Sequence, residues 1–172
     1  MVWLLILKSL YFFLPEYLAN MAPALTKKVP FLNQPVWEKK LGKNKTWRGM
    51  VMAVLTGTAV FALQKYVYQQ GWTGLALIDY NGFSILSGTL LGGGAILGDV
   101  VKSYFKRKRK IAPGERWIPW DQLDFVLGGL ILGCLLYVPA VEVVVIIVLA
   151  SPFLHIAFNH LGYALKINKS RW

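Results

Sequence analysis

The chain has 172 residues, 56% of them apolar, and a mean hydropathy of +0.48, too hydrophobic for a water-soluble domain of this length and consistent with a membrane protein. Its 19 Lys and Arg against 8 Asp and Glu give a formal charge of +11, so a partner of opposite sign is required: nucleic acid, anionic lipid or a nucleotide. The lone cysteine, Cys134, excludes an intramolecular disulfide and a cysteine-based metal site and is expected to pack against lipid or a neighbouring helix.

Five apolar segments are predicted to span the membrane, approximately 2–25, 47–69, 83–101, 125–138 and 140–164. Most approach the roughly 20 residues a spanning helix requires; the fourth is short. No polar linker separates them, so the expectation is an all-α integral membrane protein, a bundle of about five transmembrane helices forming one domain over residues 1–172.

The first segment reads as one mature helix. Its apolar stretch is long, Pro15-Glu16 interrupts it, and no basic stretch precedes it as in a signal peptide. Glu16 is an ionisable group at costly depth, read as outward-facing or cavity-facing. Asn20 follows at the inner end, where it could reach a site.

Residues 26–46 mix Phe31, Val36 and Trp37 with charges, so this stretch should lie along the interface, with the second helix beginning near Thr46 or Trp47. The run Gly42-Lys43-Asn44-Lys45-Thr46-Trp47-Arg48-Gly49 lacks the preceding strand and the spacing of a P-loop. Its chemistry still suits phosphate: Lys45 and Arg48 bring charge, Asn44 and Thr46 bring hydrogen bonds, and the first N–H groups of the helix, near Gly49, face an anion. A plain basic loop is the alternative.

The third segment contains Ser87-Gly-Thr-Leu-Leu-Gly-Gly-Gly-Ala-Ile-Leu-Gly98, small residues that let backbones approach closely and place it at the bundle centre. Directly after it, Asp99, Lys102, Ser103 and Lys106 stand at i, i+3, i+4 and i+7 and share one helical face. Arg107 points about 100° away from Lys106. The alternative is a local ion pair with a solvated basic tail. The stretch 102–120 begins helical and is broken by Pro113-Gly114 and Pro119.

Asp121 and Asp124 are three apart on the first turn of the fourth helix. Helix capping would account for them, but two like charges so close repel unless a cation lies between. With Asp99 added, the trio suits a hard divalent ion such as Mg²⁺, while the nearby Lys and Arg neutralise phosphate. His155 and His160, five apart on different faces, are read as helix–helix hydrogen-bonding groups rather than a metal pair.

Lys- and Arg-rich loops stay in the cytoplasm, which puts the N-terminus outside, the C-terminus inside, and 17 of the 19 cations on one side. Lys8 and Lys65 are left to snorkel. Asp79 and Glu142 fall on the outer side, away from the inner cluster.

The ordered series Leu14-Pro15-Glu16-Tyr17-Leu18-Ala19-Asn20, Gly42 to Gly49, Gly98-Asp99 with Ser103-x-x-Lys106-Arg107, Pro113-Gly114 and Pro119-x-Asp121-Gln-x-Asp124 resembles the CDP-archaeol synthase family over about residues 14–125. The resemblance implies a cell-membrane CTP:2,3-di-O-geranylgeranylglycerol-1-phosphate cytidylyltransferase related to phosphatidate cytidylyltransferases. Ser103, Lys106 and Arg107 match the Ser-x-x-Lys-Arg element of that wider group. Asp121 and Asp124 match its late Asp-Arg-x-Asp element, although Gln122 replaces the Arg and the intervening Lys-Asp pair has no counterpart.

On this reading a lipid phosphate oxygen attacks the α-phosphorus of CTP and pyrophosphate leaves, with no protein nucleophile. Mg²⁺ is the expected cofactor, held by Asp99, Asp121 and Asp124; Lys45, Lys106, Asp121 and Asp124 are the expected catalytic residues. Asn20, Asn44, Lys45, Thr46, Arg48, Gly49, Lys102, Ser103, Lys106 and Arg107 are expected to bind CTP and the lipid phosphate, with Asn44 and Thr46 near the cytosine. The expected partners are CTP and a prenylated glycerol phosphate, not nucleic acid. The rival reading is a non-catalytic anionic-lipid-binding scaffold or small transporter, which explains the cations but not three acids among them.

Overall fold

The computed structural model describes residues 2–112 and 115–166. The predicted break at Pro113-Gly114 and the cations Lys169 and Arg171 lie outside the described residues. Seven α-helices follow in order among the described residues: α1 (Val2–Phe12), α2 (Leu14–Leu25), α3 (Glu38–Leu41), α4 (Trp47–Gln69), α5 (Leu86–Lys108), α6 (Trp120–Gly133) and α7 (Val141–Ala164).

The first apolar segment, predicted as a single helix, is a pair, α1 and α2, bent by 48°. Pro15, in the first turn of α2, has no N–H to give, and its ring crowds the carbonyl of the residue four before it, Tyr11. That carbonyl accepts from Gln64 Nε2 of α4 at 2.5 Å instead. The bend turns Glu16 inward, under Gly129 of α6, where a Cβ would lie 2.7 Å from Glu16 Cγ. Glu16 is buried, and its Oε2 has no partner among the described residues.

α4 begins where the sequence places it. Thr46 is its N-cap, and the Thr46 hydroxyl accepts from the Gly49 N–H at 3.2 Å, satisfying one of the donors a helix start leaves open. At the far end Lys65 Nζ donates to the carbonyls of Asn81 and Phe83, at 3.2 and 2.5 Å, so its charge is met by loop oxygens.

α5 is the centre of the bundle and packs on α2, α4 and α6. Glycines allow this. A Cβ on Gly57 of α4 would come within 2.7 Å of the Gly92 Cα, and one on Gly94 within 2.6 Å of the Gly128 carbonyl. α5 also runs seven residues past the predicted end of its apolar segment at 101, because the Lys- and Arg-rich tail has good helix formers.

α6 begins and ends about five residues before the predicted segment 125–138. Its 14 residues span about 21 Å at 1.5 Å per residue, short of the roughly 30 Å hydrocarbon core. By length and apolarity two helices can cross a membrane, α4 and α7, or three if the bent α1–α2 pair counts as one span. α5 is diluted by its glycines and charged end. The architecture is that of a helical membrane protein.

The core gathers Phe13 and Tyr17 of α2, Ala53 of α4, Ala95 of α5, Phe125 and Val126 of α6 and Ile147 of α7. The Tyr17 hydroxyl shares a 2.9 Å hydrogen bond with the Ser151 hydroxyl, tying α2 to α7. Cys134 is exposed on the surface of the bundle.

Candidate functional site

The site grows out of one close approach. A Cβ on Gly98 would run into the backbone carbonyl of Asp124, and one on Gly128 into that of Gly94, so α5 and α6 touch backbone to backbone there. Carboxylates one turn apart on two such helices face each other across a few ångströms. Asp99 of α5 and Asp121 and Asp124 of α6 converge on a single group, the Lys102 ammonium. Lys102 Nζ lies 3.2 Å from Asp99 Oδ1, 3.1 Å from Asp121 Oδ1 and 2.8 Å from Asp124 Oδ2.

Two more lysines close the cluster. Lys45, from the loop before α4, pairs with Asp99 Oδ2. Lys106 Nζ donates to both oxygens of Asp121, at 3.0 and 3.1 Å, and to the Glu115 carbonyl at 2.5 Å. Backbone N–H groups complete the carboxylates: Trp117 donates to Asp121 Oδ2 at 2.6 Å and Phe125 to Asp124 Oδ1 at 2.7 Å. Three acids and three ammonium groups leave the cluster formally neutral, within a chain of strong positive charge.

Lys102, Asp121 and Asp124 lie beyond the ends of the apolar segments. Burial alone would lower the Lys102 ammonium, yet the three surrounding carboxylates hold it well above the usual lysine range. Burial likewise pushes Asp121 up, but Lys102, the Trp117 N–H and Lys106 outweigh it and keep that carboxyl low. Asp124 behaves differently. Its side chain is only 4% exposed, against 20% for Asp121, so desolvation and the neighbouring Asp99 charge push it up against the pull of Lys102.

The donor set suits Mg²⁺ in kind: hard carboxylate oxygens from two helices already surround one cationic centre. That centre is held by an ammonium, and among the described residues no group of three or more His, Cys, Asp or Glu has the arrangement of a metal shell. The residues therefore fit the ion by charge and donor type, with Lys102 the group it would displace.

Other predicted residues fall into two sets. Asn44, Lys45, Thr46 and Gly49 line a small cleft that reaches Asp99, and Asn20 lines a larger cavity that also reaches Lys45 and Asp99. Arg48 turns elsewhere. Its Nη1 donates to the Val29 carbonyl at 2.7 Å and to Asn33 Oδ1, while its N–H bonds the Leu32 carbonyl at 2.8 Å. Arg48 and the Thr46 cap thus shape the loop that presents Lys45. Ser103 is buried beside the cluster, and Arg107 Nε is buried without a partner among the described residues.

Sequence reasoning passed over two residues. His155 and Asn159 of α7 line the same cavity as Asn20. Their spacing of four in an otherwise apolar stretch is the signal that could have found them, since it sets two polar groups on one face; pairing His155 with His160 concealed it. His160 Nδ1 lies 2.9 Å from the Ile156 carbonyl, within its own helix.

A profile of the family described as CarS-like, CDP-archaeol synthase, matches residues 2–172. The CDP-archaeol synthase of Methanospirillum hungatei is 35% identical over 173 aligned residues, covering 92% of this chain and 99% of that one. The CDP-archaeol synthase of Thermofilum pendens is 33% identical, covering 96% of this chain and 80% of its own. That of Methanocaldococcus jannaschii is 32% identical over the whole of both chains. No solved structure matches the chain.

Proposed function

The chain belongs to the CDP-archaeol synthase family, and from that premise we propose that it transfers CMP from CTP to 2,3-di-O-geranylgeranylglycerol 1-phosphate, releasing pyrophosphate at the Asp99–Asp121–Asp124 cluster. The observation that carries the placement is the convergence of three carboxylates from α5 and α6 on Lys102, with Lys45 and Lys106 on either side.

Both reactants are anions, so the obstacle is mutual repulsion and the charge that develops on the leaving group. A lipid phosphate oxygen forms a bond to the α-phosphorus of CTP as the bond from that phosphorus to the β-phosphate oxygen breaks, and pyrophosphate departs with the electron pair. No proton has to be removed from the attacking phosphate oxygen. Lys45, Lys102 and Lys106 are the cations placed to share the triphosphate and the lipid phosphate, and Arg107 stands one helical step aside. Mg²⁺ bound by Asp99, Asp121 and Asp124 would supply further positive charge to the phosphates and free Lys102 from its carboxylates.

The arrangement also suits a membrane substrate. The prenyl chains stay at bilayer depth while the phosphate meets the charged end of α5. We place that end on the cytoplasmic side, because the basic stretches around Lys27–Arg48 and Lys102–Arg116 flank it. Five crossings follow if α1–α2 counts as one, and if α5 and the short α6, locked together by glycines, cross as a pair with residues 134–140 completing the second. The N-terminus then lies outside and the C-terminus inside.

The test is pyrophosphate release from CTP by the detergent-solubilised protein, with and without the prenylated glycerol phosphate and with and without Mg²⁺. Release that requires both lipid and metal is expected. Release indifferent to lipid contradicts the substrate, and no release at all favours a non-catalytic lipid-binding scaffold.

A further inference from the structure

Beside the Lys45–Asp99 pair opens a cavity of about 340 Å³, between α2, α6 and α7. Its polar groups are Asn20, His155 and Asn159, and Tyr17, Phe125 and Phe158 give it flat faces. The His155 and Phe125 rings are near parallel, 26° apart with centroids 6.5 Å distant, and Asn159 Nδ2 lies 3.4 Å from His155 Nδ1. A few polar groups in a mostly apolar wall that includes aromatic faces are the makings of a site for a flat, hydrogen-bonding ring.

A second cleft, of about 570 Å³, lies on the other side of the cluster along α5 and α6, with Lys102 and Asp124 at one end. Leu97, Val101, Leu127 and Ile131 line it and are exposed on the surface of the bundle. It also holds Phe105, Arg109, Trp117 and Trp120 but no side-chain amide or imidazole, so no uncharged side chain there both donates and accepts at the edge of a base. The two clefts reach the lysine–carboxylate cluster at different members, one at Lys45 and Asp99 with two amides in its wall, the other at Lys102 and Asp124 with none.

We infer that the α2–α7 cavity holds the nucleoside end of CTP, with the Asn20 and Asn159 amides reading the edge of cytosine and His155, against Phe125, positioning Asn159. This rests on the cytidylyl-transfer reading above. An amide can donate to cytosine N3 and accept from its exocyclic amine, and Asn20 and Asn159 carry the only amide side chains among the residues lining the cavity. Asn44 and Thr46, the residues the sequence suggests for this task, line the separate small cleft instead, and the Thr46 hydroxyl accepts from the Gly49 N–H. A base in this cavity leaves the triphosphate at Lys45 and Asp99, where the cluster begins.

The test is the ratio of CTP to UTP use. Uracil carries a donor at N3 and an acceptor at C4, the reverse of cytosine. Asn159→Asp and Asn20→Asp remove the donor that cytosine N3 needs and keep an acceptor for uracil N3–H. At least one of the two variants should lower the CTP:UTP ratio of kcat/KM by about tenfold or more, while the KM for the lipid stays within about twofold. His155→Ala should raise the KM for CTP more than it lowers kcat. Photolabelling of the unmodified protein with 5-azido-CTP, mapped by peptide mass spectrometry, provides a reading that no variant's folding can confuse: label in α2 or α7 is expected. Active variants that keep the parent ratio, or label confined to α5 and α6, overturn the subsite and leave the cytidylyl-transfer reading standing. A parent protein that releases no pyrophosphate from CTP overturns both.

Discussion

The two halves of α5 are built from different materials. From Ser87 to Gly98 the helix presents small residues, and its glycines let α4 and α6 press backbone against backbone. From Asp99 to Lys106 it presents charge, and among the described residues its ion pairs are made to α6 or to the loop before α4, apart from Asp99 with Lys102. The first half makes the second effective. Asp99 and Asp124 can share one ammonium only because Gly98 brings α5 onto the Asp124 carbonyl. Small residues here act as a ruler that sets the distance between charged groups on neighbouring helices.

This contrast can be broken first at Gly98. Gly98→Ala forces the new Cβ against the Asp124 carbonyl and should separate the helices, at a cost of about 1–3 kcal/mol or more and with loss of nearly all CTP turnover. Gly93 has nothing within 4 Å of its absent Cβ. Gly93→Ala should keep full turnover and raise stability by up to about 1 kcal/mol. Thermal denaturation in detergent and a turnover assay check both; equal losses would contradict the ruler.

Lys102→Ala comes next. It leaves Asp99, Asp121 and Asp124 facing one another without their shared counter-ion, and should destabilise the protein by about 3–5 kcal/mol. Added Mg²⁺ should restore part of the lost melting temperature, because the trio then has a cation again. No recovery with Mg²⁺ would argue that the carboxylates do not bind the ion.

Lys106 and Arg107 sharpen the charged half. Lys106 bonds both oxygens of Asp121, whereas no bond of Arg107 to that carboxylate is present. Lys106→Ala should therefore lower CTP turnover by a larger factor than Arg107→Ala, as read from kcat/KM for each. The smallest effect belongs to the loop that carries Lys45: Thr46→Ala removes the α4 cap and should cost about 1 kcal/mol, seen as a modest fall in melting temperature with turnover largely preserved.

Much of this was legible in the residues. Spacing alone put Asp99, Lys102 and Lys106 on one face, and repulsion between Asp121 and Asp124 required a cation between them. The start of α4 near Thr46 or Trp47 followed from where the apolar run begins. Other features were not legible, for physical reasons. Which cation stands among the carboxylates depends on an interhelix distance set by Gly98 and Gly128, and periodicity within one helix does not encode it. The bend at Phe13 was signalled by Pro15, but whether a proline kinks or merely interrupts depends on whether a partner such as Gln64 meets the freed carbonyl. Arg48 looked like a phosphate ligand by type, and only the path of residues 26–46 reveals carbonyls at Val29 and Leu32 waiting for it. The start of α6 near Asp121 was legible, but its end at Gly133, five residues before the apolar stretch ends, was not, because hydropathy marks apolar residues whether or not they are helical.

The most direct test of the central claim is the Mg²⁺-dependent, lipid-dependent turnover of CTP by Asp124→Asn in detergent, with circular dichroism and monodisperse elution establishing that the variant is folded. The variant keeps the shape of Asp124 and removes its charge. A fall in turnover of about 100-fold or more, with the helical content of the parent, is the predicted result. Turnover at the parent rate in the folded variant would contradict a catalytic cluster at Asp99, Asp121 and Asp124.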